Sequence, residues 1–391
     1  MFNLTAEKLT EMKALTTASE IHQQPEVWKE TIENLEKNSG KIEEFTNRIF
    51  QRHTRVKVLL TGAGTSAFAG DTLTPFLRKQ NSGNVQFESI ATTDIVSNPE
   101  DYLKKETPTI LVSFARSGNS PESVAAVELG EQILDNFYQV IITCNPNGQL
   151  AKNSTGDESS LLILTPEKAH DQAMAMTSSF TSMIISAYAV FSKAFKDSDL
   201  HGVIESGERL LESAAAQVDR ILEFDFTRII YLGSGPLKEL SHEAALKMLE
   251  LTAGQVVAVH ESSLGFRHGP KSILNDQSVV VLFMSQDEYT QKYDVDILRE
   301  IAADESGLKV VVLTEKTDSE IEKLADWVIP VNTGSERIKS DFELALLYVV
   351  FAQILAMKKS MHLHISPDHP SPTGRINRVV QGVTIYEYET Q

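Results

Sequence analysis

Leu59-Leu60-Thr61-Gly62-Ala63-Gly64 and Ile230-Tyr231-Leu232-Gly233-Ser234-Gly235 decide the fold. Each is a short apolar run that breaks into a Gly-x-Gly turn, and the two stand 171 residues apart. The apolar runs that follow keep that offset: 110–113 with 281–284, and 140–143 with 311–314. A fourth pair, 161–164 and 328–331, is nearly in step. Runs this short, apolar on both faces and followed by helical patterns read as buried parallel strands. The chain is therefore expected to be α/β, with two duplicated, doubly wound parallel-sheet domains. In such sheets a ligand sits beyond the carboxyl ends of the strands, so differences between the repeats in those loops show which half binds what.

The chain has 391 residues, enough for two cores, and a formal net charge of −18. That charge, with a pI near 5.0, argues against nucleic acid or an anionic membrane as partner. A phosphate ligand would have to be held by local donors. The single cysteine, Cys144, allows no intramolecular disulfide and points to a reducing compartment. The first residues carry neither a basic nor an apolar leader pattern. The longest apolar stretch, 344–357, is too short to span a bilayer and reads as a buried helix. A cytoplasmic protein is expected.

Residues 1–50 are polar with helical spacing, and Gln24-Pro25-Glu26-Val27-Trp28 opens one helix. The first α/β domain is expected over residues 51–200, closing on the apolar helix 178–195. A mixed-charge helix over 201–225 links it to the second domain, residues 226–360, which closes on the matching helix 342–357. The tail, 361–391, begins with the turn chemistry of Ser366-Pro367-Asp368-His369-Pro370 and ends in a strand-like run, 379–386.

Between the first strand and its helix stands Gly62-Ala63-Gly64-Thr65-Ser66-Ala67. Glycine permits close backbone approach, and hydroxyls with free helix N–H groups can bind an anion. The same residues also fit a plain tight turn, or a dinucleotide motif, since Gly62, Gly64 and Ala67 satisfy G-x-G-x-x-A and Glu88 ends the next apolar run. A second loop, Ser113-Phe114-Ala115-Arg116-Ser117-Gly118-Asn119-Ser120-Pro121, decides more. Two hydroxyl-rich turns at one end of a sheet suit a compact phosphate monoester, whereas a Ser-Arg-Ser-Gly turn explains no ribose or adenine site. The second repeat has Ser285-Gln286-Asp287-Glu288-Tyr289 at this place, whose acids repel phosphate. The first domain is expected to bind the anion.

The second repeat offers chemistry instead. In Leu240-Ser241-His242-Glu243-Ala244-Ala245-Leu246-Lys247-Met248-Leu249-Glu250, three charges fall at i, i+4 and i+7 and share one helical stripe. Spacing alone favours a solvated face with an ordinary ion pair. The apolar neighbours argue for burial, and a buried carboxylate beside a lysine can move protons with a tuned pKa. His242 is expected on the helix surface. Downstream, Leu264-Gly265-Phe266-Arg267-His268-Gly269-Pro270 presents a histidine in a constrained turn, structural or acid–base. His362-Leu363-His364 would project two imidazoles from one side of a strand, but the spacing matches no metal motif, and no metal or other cofactor is expected.

These residues resemble the sugar isomerase (SIS) domain family in its tandem form. Gly64-Thr65-Ser66 and Arg116-Ser117-Gly118-Asn119-Ser120 are similar to the family's phosphate-binding turns. Glu243 to Glu250, with Arg267-His268-Gly269-Pro270, resembles the catalytic stretch of the isomerase half of glucosamine-6-phosphate synthase. Across its length the chain looks most like the AgaS branch, associated with galactosamine-6-phosphate deaminase/isomerase and also named tagatose-6-phosphate ketose/aldose isomerase. The resemblance implies that Ser66, Ser117 and Ser120 hold phosphate, with Gly64, Thr65, Arg116 and Asn119 beside them. It implies Glu250 as enolisation base, Lys247 as the lysine that contacts the open-chain sugar, and His268 as the ring-opening histidine. It further implies a homo-oligomer, at least a dimer, whose His268 serves a neighbouring copy. Two departures stand out: Arg116 replaces an uncharged residue of the synthase turn, and Gln381 stands where the synthase has a tail lysine. The synthase's N-terminal cysteine nucleophile has no counterpart, since residue 2 is Phe and the only thiol is Cys144; glutamine-fed amination is thereby set aside. What the resemblance leaves is isomerisation of a sugar phosphate, with or without loss of ammonia. The other classes are a non-catalytic sugar-phosphate sensor and, last, a dinucleotide-dependent oxidoreductase.

Overall fold

A computed structural model describes residues 1–81, 83–197, 200–334, 337–371, 373–378 and 382–389. Two short helices, Ala6–Glu11 and Leu15–His22, and two longer ones, α1 (Gln24–Lys37) and α2 (Ser39–Arg52), precede the first sheet. The chain then divides into two compact units. One comprises Glu26–Asp171, Ser178–Ser198 and Ile376–Gln391; the other comprises Met1–Pro25, Gln172–Thr177 and Asp199–Arg375.

The first unit is built on β1 (Val56–Thr61), β2 (Val85–Ser89), β3 (Thr109–Ala115), β4 (Phe137–Thr143) and β5 (Ser160–Leu164), in the order β2-β1-β3-β4-β5. All pairings are parallel. Its helices include α3 (Thr65–Gln80), α4 (Pro121–Ile133) and α5 (Ser178–Phe191). Central β3 is buried along its whole length, and α4 lays Val124 and Val127 on a face formed by Leu59, Leu111 and Ile141. The order reverses between β1 and β3, so the loops after these two strands flank the crevice where α/β sheets take ligands.

The second unit repeats the plan. Helix α6 (Leu200–Leu222) leads into β6 (Arg228–Gly233), α7 (Pro236–Leu251), β7 (Val257–Ser262), β8 (Ser278–Phe283), α8 (Glu288–Ala302), β9 (Lys309–Thr314), β10 (Trp327–Pro330) and α9 (Asp341–His362). The order β7-β6-β8-β9-β10 is the first sheet's order again, also all parallel. Even the first turns coincide: Gly64 has φ 56°, ψ −129° and Gly235 has φ 56°, ψ −127°. A side chain would be strained there, and a Cβ on Gly62 or Gly233 would lie 2.5 Å from the following helix backbone. The two Gly-x-Gly signatures thus have one cause, a helix that starts hard against its strand.

Helix α9 differs from the expected 342–357 by running on through Met361 to His362. It is long and apolar enough to cross a bilayer, but its most apolar 18-residue window is wholly buried in the protein; burial, not length, makes it a core helix. His362 ends that helix and His364 is left-handed at φ 58°, so the two imidazoles do not share a strand face. The strand-like reading of 379–386 also fails where it can be compared: residues 382–389 form no strand, and 379–381 lie outside the described residues. That run has alternation but no paired neighbour among the described residues, and pairing, not propensity, makes a strand. The turn chemistry near Asp368 has a structural use, since its carboxylate accepts hydrogen bonds from the Thr17 N–H (2.8 Å), the Thr17 hydroxyl (2.7 Å) and the Thr16 N–H (3.2 Å).

Candidate active site

The register pairs Thr61 with Ser113, which brings the two hydroxyl-rich loops to adjacent strand ends in the first unit. Thr65 and Ser66 open α3 and are buried. Ser120 precedes α4, and its hydroxyl shares a 2.7 Å hydrogen bond with that of Ser123. The loop between is fixed from the side by the next strand's loop. Asn145 Nδ2 donates to the Ser117 carbonyl at 2.8 Å, the Gln149 N–H donates to Asn119 Oδ1 at 2.9 Å, and the Leu150 N–H donates to the Gly118 carbonyl at 3.1 Å. Gly118 takes the left-handed φ of 67° that the turn requires. Asn145 and Gln149 escape a linear reading because they lie 28 and 30 residues beyond their partners, after a helix and a strand.

Arg116 is 8% exposed, and its guanidinium donates to the Arg378 carbonyl at 2.8 Å. Arg378 in turn donates to the Asp171 carbonyl. The tail therefore meets the second loop through Arg378, a residue the sequence reading passed over, while Gln381 lies outside the described residues. The local field is positive despite the acidic chain: burial first, then the charges of Arg378 and Arg116, hold His170 below its usual imidazole value. Neighbouring Cys144 is buried and its thiol is pushed up to about 12, chiefly by desolvation, so it is no nucleophile. Glu88, the acid a dinucleotide motif requires, is held by Lys57 at 2.7 Å.

In the second unit, α7 carries the charged stripe, and the stripe is buried. Lys247 and Glu243 are both 0% exposed and 3.5 Å apart, while Lys247 also pairs directly with Glu250, whose side chain is 21% exposed. Small and apolar residues, Ala244, Ala245 and Met248, flank the stripe. The solvated-face reading is overturned: packing α7 against α9 covers the stripe, which i, i+4, i+7 spacing alone cannot reveal. The geometry gives one ammonium between two carboxylates, of which Glu250 keeps access to water.

His268 caps the short 3-10 turn Gly265–Arg267 and is exposed. Its loop is pinned on both sides to α8: Arg267 reaches Asp296 at 2.8 Å and Glu300 at 2.5 Å, and Lys271 reaches Glu300 at 2.7 Å. Among the described residues no hydrogen bond or ion pair joins His268 to Lys247 or Glu250. His242 is not a simple surface residue: its ring stacks on His260 at 3.9 Å, tilted by 13°. Burial, then the charges of His260 and Lys238, lowers it to about 4.

Known proteins share this fold. The SIS domain matches residues 52–193 and 224–362. The chain is 42% identical over 386 residues to the D-galactosamine-6-phosphate deaminase AgaS of Shewanella sp. (strain ANA-3), covering 98% of this chain and 95% of that one. A Clostridium novyi NT structure assigned as a tagatose-6-phosphate ketose/aldose isomerase superposes with a TM-score of 0.94 at 40% identity, over 99% of each chain. The tagatose-6-phosphate ketose/aldose isomerase of Escherichia coli gives 0.86 at 35% identity, over 96% of this chain and 97% of that one. With two copies of the domain and likeness to AgaS proteins along nearly its full length, the chain belongs to the SIS domain family, in the AgaS branch.

Proposed function

We propose that this protein is an amino-sugar phosphate deaminase/isomerase that converts galactosamine 6-phosphate and water into tagatose 6-phosphate and ammonia. The names of its relatives support the substrate and the reaction. In this reading the first repeat, 51–200, holds the phosphate with Gly64, Thr65, Ser66, Arg116, Ser117, Asn119 and Ser120. The second, 226–360, supplies the chemistry, and the tail, 361–391, meets the phosphate loop through Arg378. His268 opens the ring by moving a proton between the anomeric hydroxyl and the ring oxygen, which frees the C1 aldehyde. Glu250 takes the C2 proton, and the electron pair moves through C1 to the carbonyl oxygen, giving an enolamine. Lys247 offsets the charge that develops there. Return of the proton to C1 leaves an imine at C2; water adds, and ammonia departs.

The observation that supports this most is Lys247, buried between Glu243 and Glu250. Taking Lys247 and Glu243 wholly out of water costs several kcal/mol per ion before their mutual attraction offsets it, and stability alone gives α7 no reason to keep them. The exposure of His268 supports a homo-oligomer in which it serves a neighbouring copy. The lone, buried thiol suits a cytoplasmic setting. The test is ammonia release across galactosamine, glucosamine and N-acetylated 6-phosphates. Release fastest from galactosamine 6-phosphate is expected. Ketose formation from neutral aldose phosphates with no ammonia from any amino sugar would make the protein an isomerase only, and binding without turnover would make it a sensor.

A further inference from the structure

The crevice where the second sheet reverses its order contains a carboxylate. Asp294, on α8, is 0% exposed. Its Oδ1 accepts hydrogen bonds from the hydroxyls of Ser234 (2.7 Å) and Ser263 (2.5 Å), and its Oδ2 accepts one from the Ser285 N–H (3.0 Å). These donors follow β6, β7 and β8, three adjacent strands, at their carboxyl ends. The Ser285 hydroxyl donates instead to Asp341 at 2.6 Å. Two hydroxyls and a backbone N–H converging at a switch point make an oxyanion cradle, and among the described residues those three donors sustain burial of the carboxylate. No positively charged side chain contributes to it among the contacts of Asp294.

We propose that the second domain keeps an oxyanion site at its switch point, permanently filled by its own carboxylate, Asp294, and so closed to phosphate. In the first unit the corresponding strand-end loop presents the hydroxyls of Ser117 and Ser120, and Ser120 shares its hydrogen bond with Ser123, the third residue of α4. Asp294 is the seventh residue of α8, one turn further into its helix, where its carboxylate reaches back to the strand ends. The comparison with the first domain rests on the phosphate reading above; the cradle and its test do not.

The test is replacement of the missing anion in the intact chain. In D294A the midpoint of thermal unfolding should fall by about 5 °C or more, since three buried donors lose their acceptor. Formate, which matches the removed carboxylate, should restore at least half of that loss, and should not move the wild type relative to chloride at equal ionic strength. D294N fills the same space without charge; it should also be destabilised, and formate should not help it. A D294A protein that folds but ignores formate would overturn the proposal. So would a D294N protein as stable as wild type, an outcome that remains readable if D294A fails to fold.

Discussion

The stacked imidazoles of His242 and His260 tie α7 to β7. Lys238 and Glu239 on α7 and Glu261 on β7 face the pair electrostatically. His242 is neutral in the folded protein and titrates near 4, whereas an unfolded chain takes up that proton below about 6.5. Folding stability is therefore full above 6.5 and is lost as pH falls from there towards 4. His242→Gln should flatten that loss, read as a smaller shift in the urea midpoint between about pH 7 and about pH 5; an unchanged shift would place the acid sensitivity elsewhere. At this scale the sequence told where charges stand but not what covers them. Glu243, Lys247 and Glu250 were legible as a stripe, and their burial was not, because α9 lies about a hundred residues downstream.

At the scale of elements, the two hydroxyl-rich loops belong to strand ends that the apolar runs already located. Both sheets were legible because a buried parallel strand is a continuous apolar run, and because the same spacing occurs twice. What pins the loops was not. Asn145 and Gln149 hold the Arg-Ser-Gly-Asn-Ser turn, and Glu300 with Asp296 holds the His268 loop, through contacts that linear spacing does not encode. The tail was misread as a strand for a related reason: its described part is held in the first unit by side-chain contacts such as Arg116 with Arg378, Gln132 with Tyr388 and the packing of Tyr388 on the apolar core, not by strand pairing. If the loops bind phosphate, Ser117→Ala and Arg116→Ala should each weaken inorganic phosphate and substrate by roughly ten- to a hundredfold, the loss of one charge-assisted hydrogen bond. Calorimetric titration reads this directly, and affinities equal to wild type in both variants would move the phosphate to another surface.

For the whole molecule, the proposed function divides the labour between two sheets of one topology, as duplication followed by divergence would. In the first the strand-end crevice is left to hydroxyls and an arginine; in the second it is filled by Asp294, and α7 is given over to Lys247 and its two carboxylates. If the exposed His268 serves the base of a neighbouring copy, as proposed, activity depends on assembly. Glu250→Gln and His268→Ala, each inactive alone, should regain part of the activity when unfolded together and refolded as verified mixed oligomers. No recovery would assign both residues to the same copy's site. The central claim, that Glu250 moves the proton between C2 and C1, is tested most directly by following exchange of the C2 hydrogen of galactosamine 6-phosphate with solvent in Glu250→Gln. Glutamine keeps the shape and loses the basicity, so exchange should fall to background while substrate affinity stays within a few-fold of wild type. Exchange at a near wild-type rate would contradict the account and move the base to Glu261, on the strand that leads to the His268 loop.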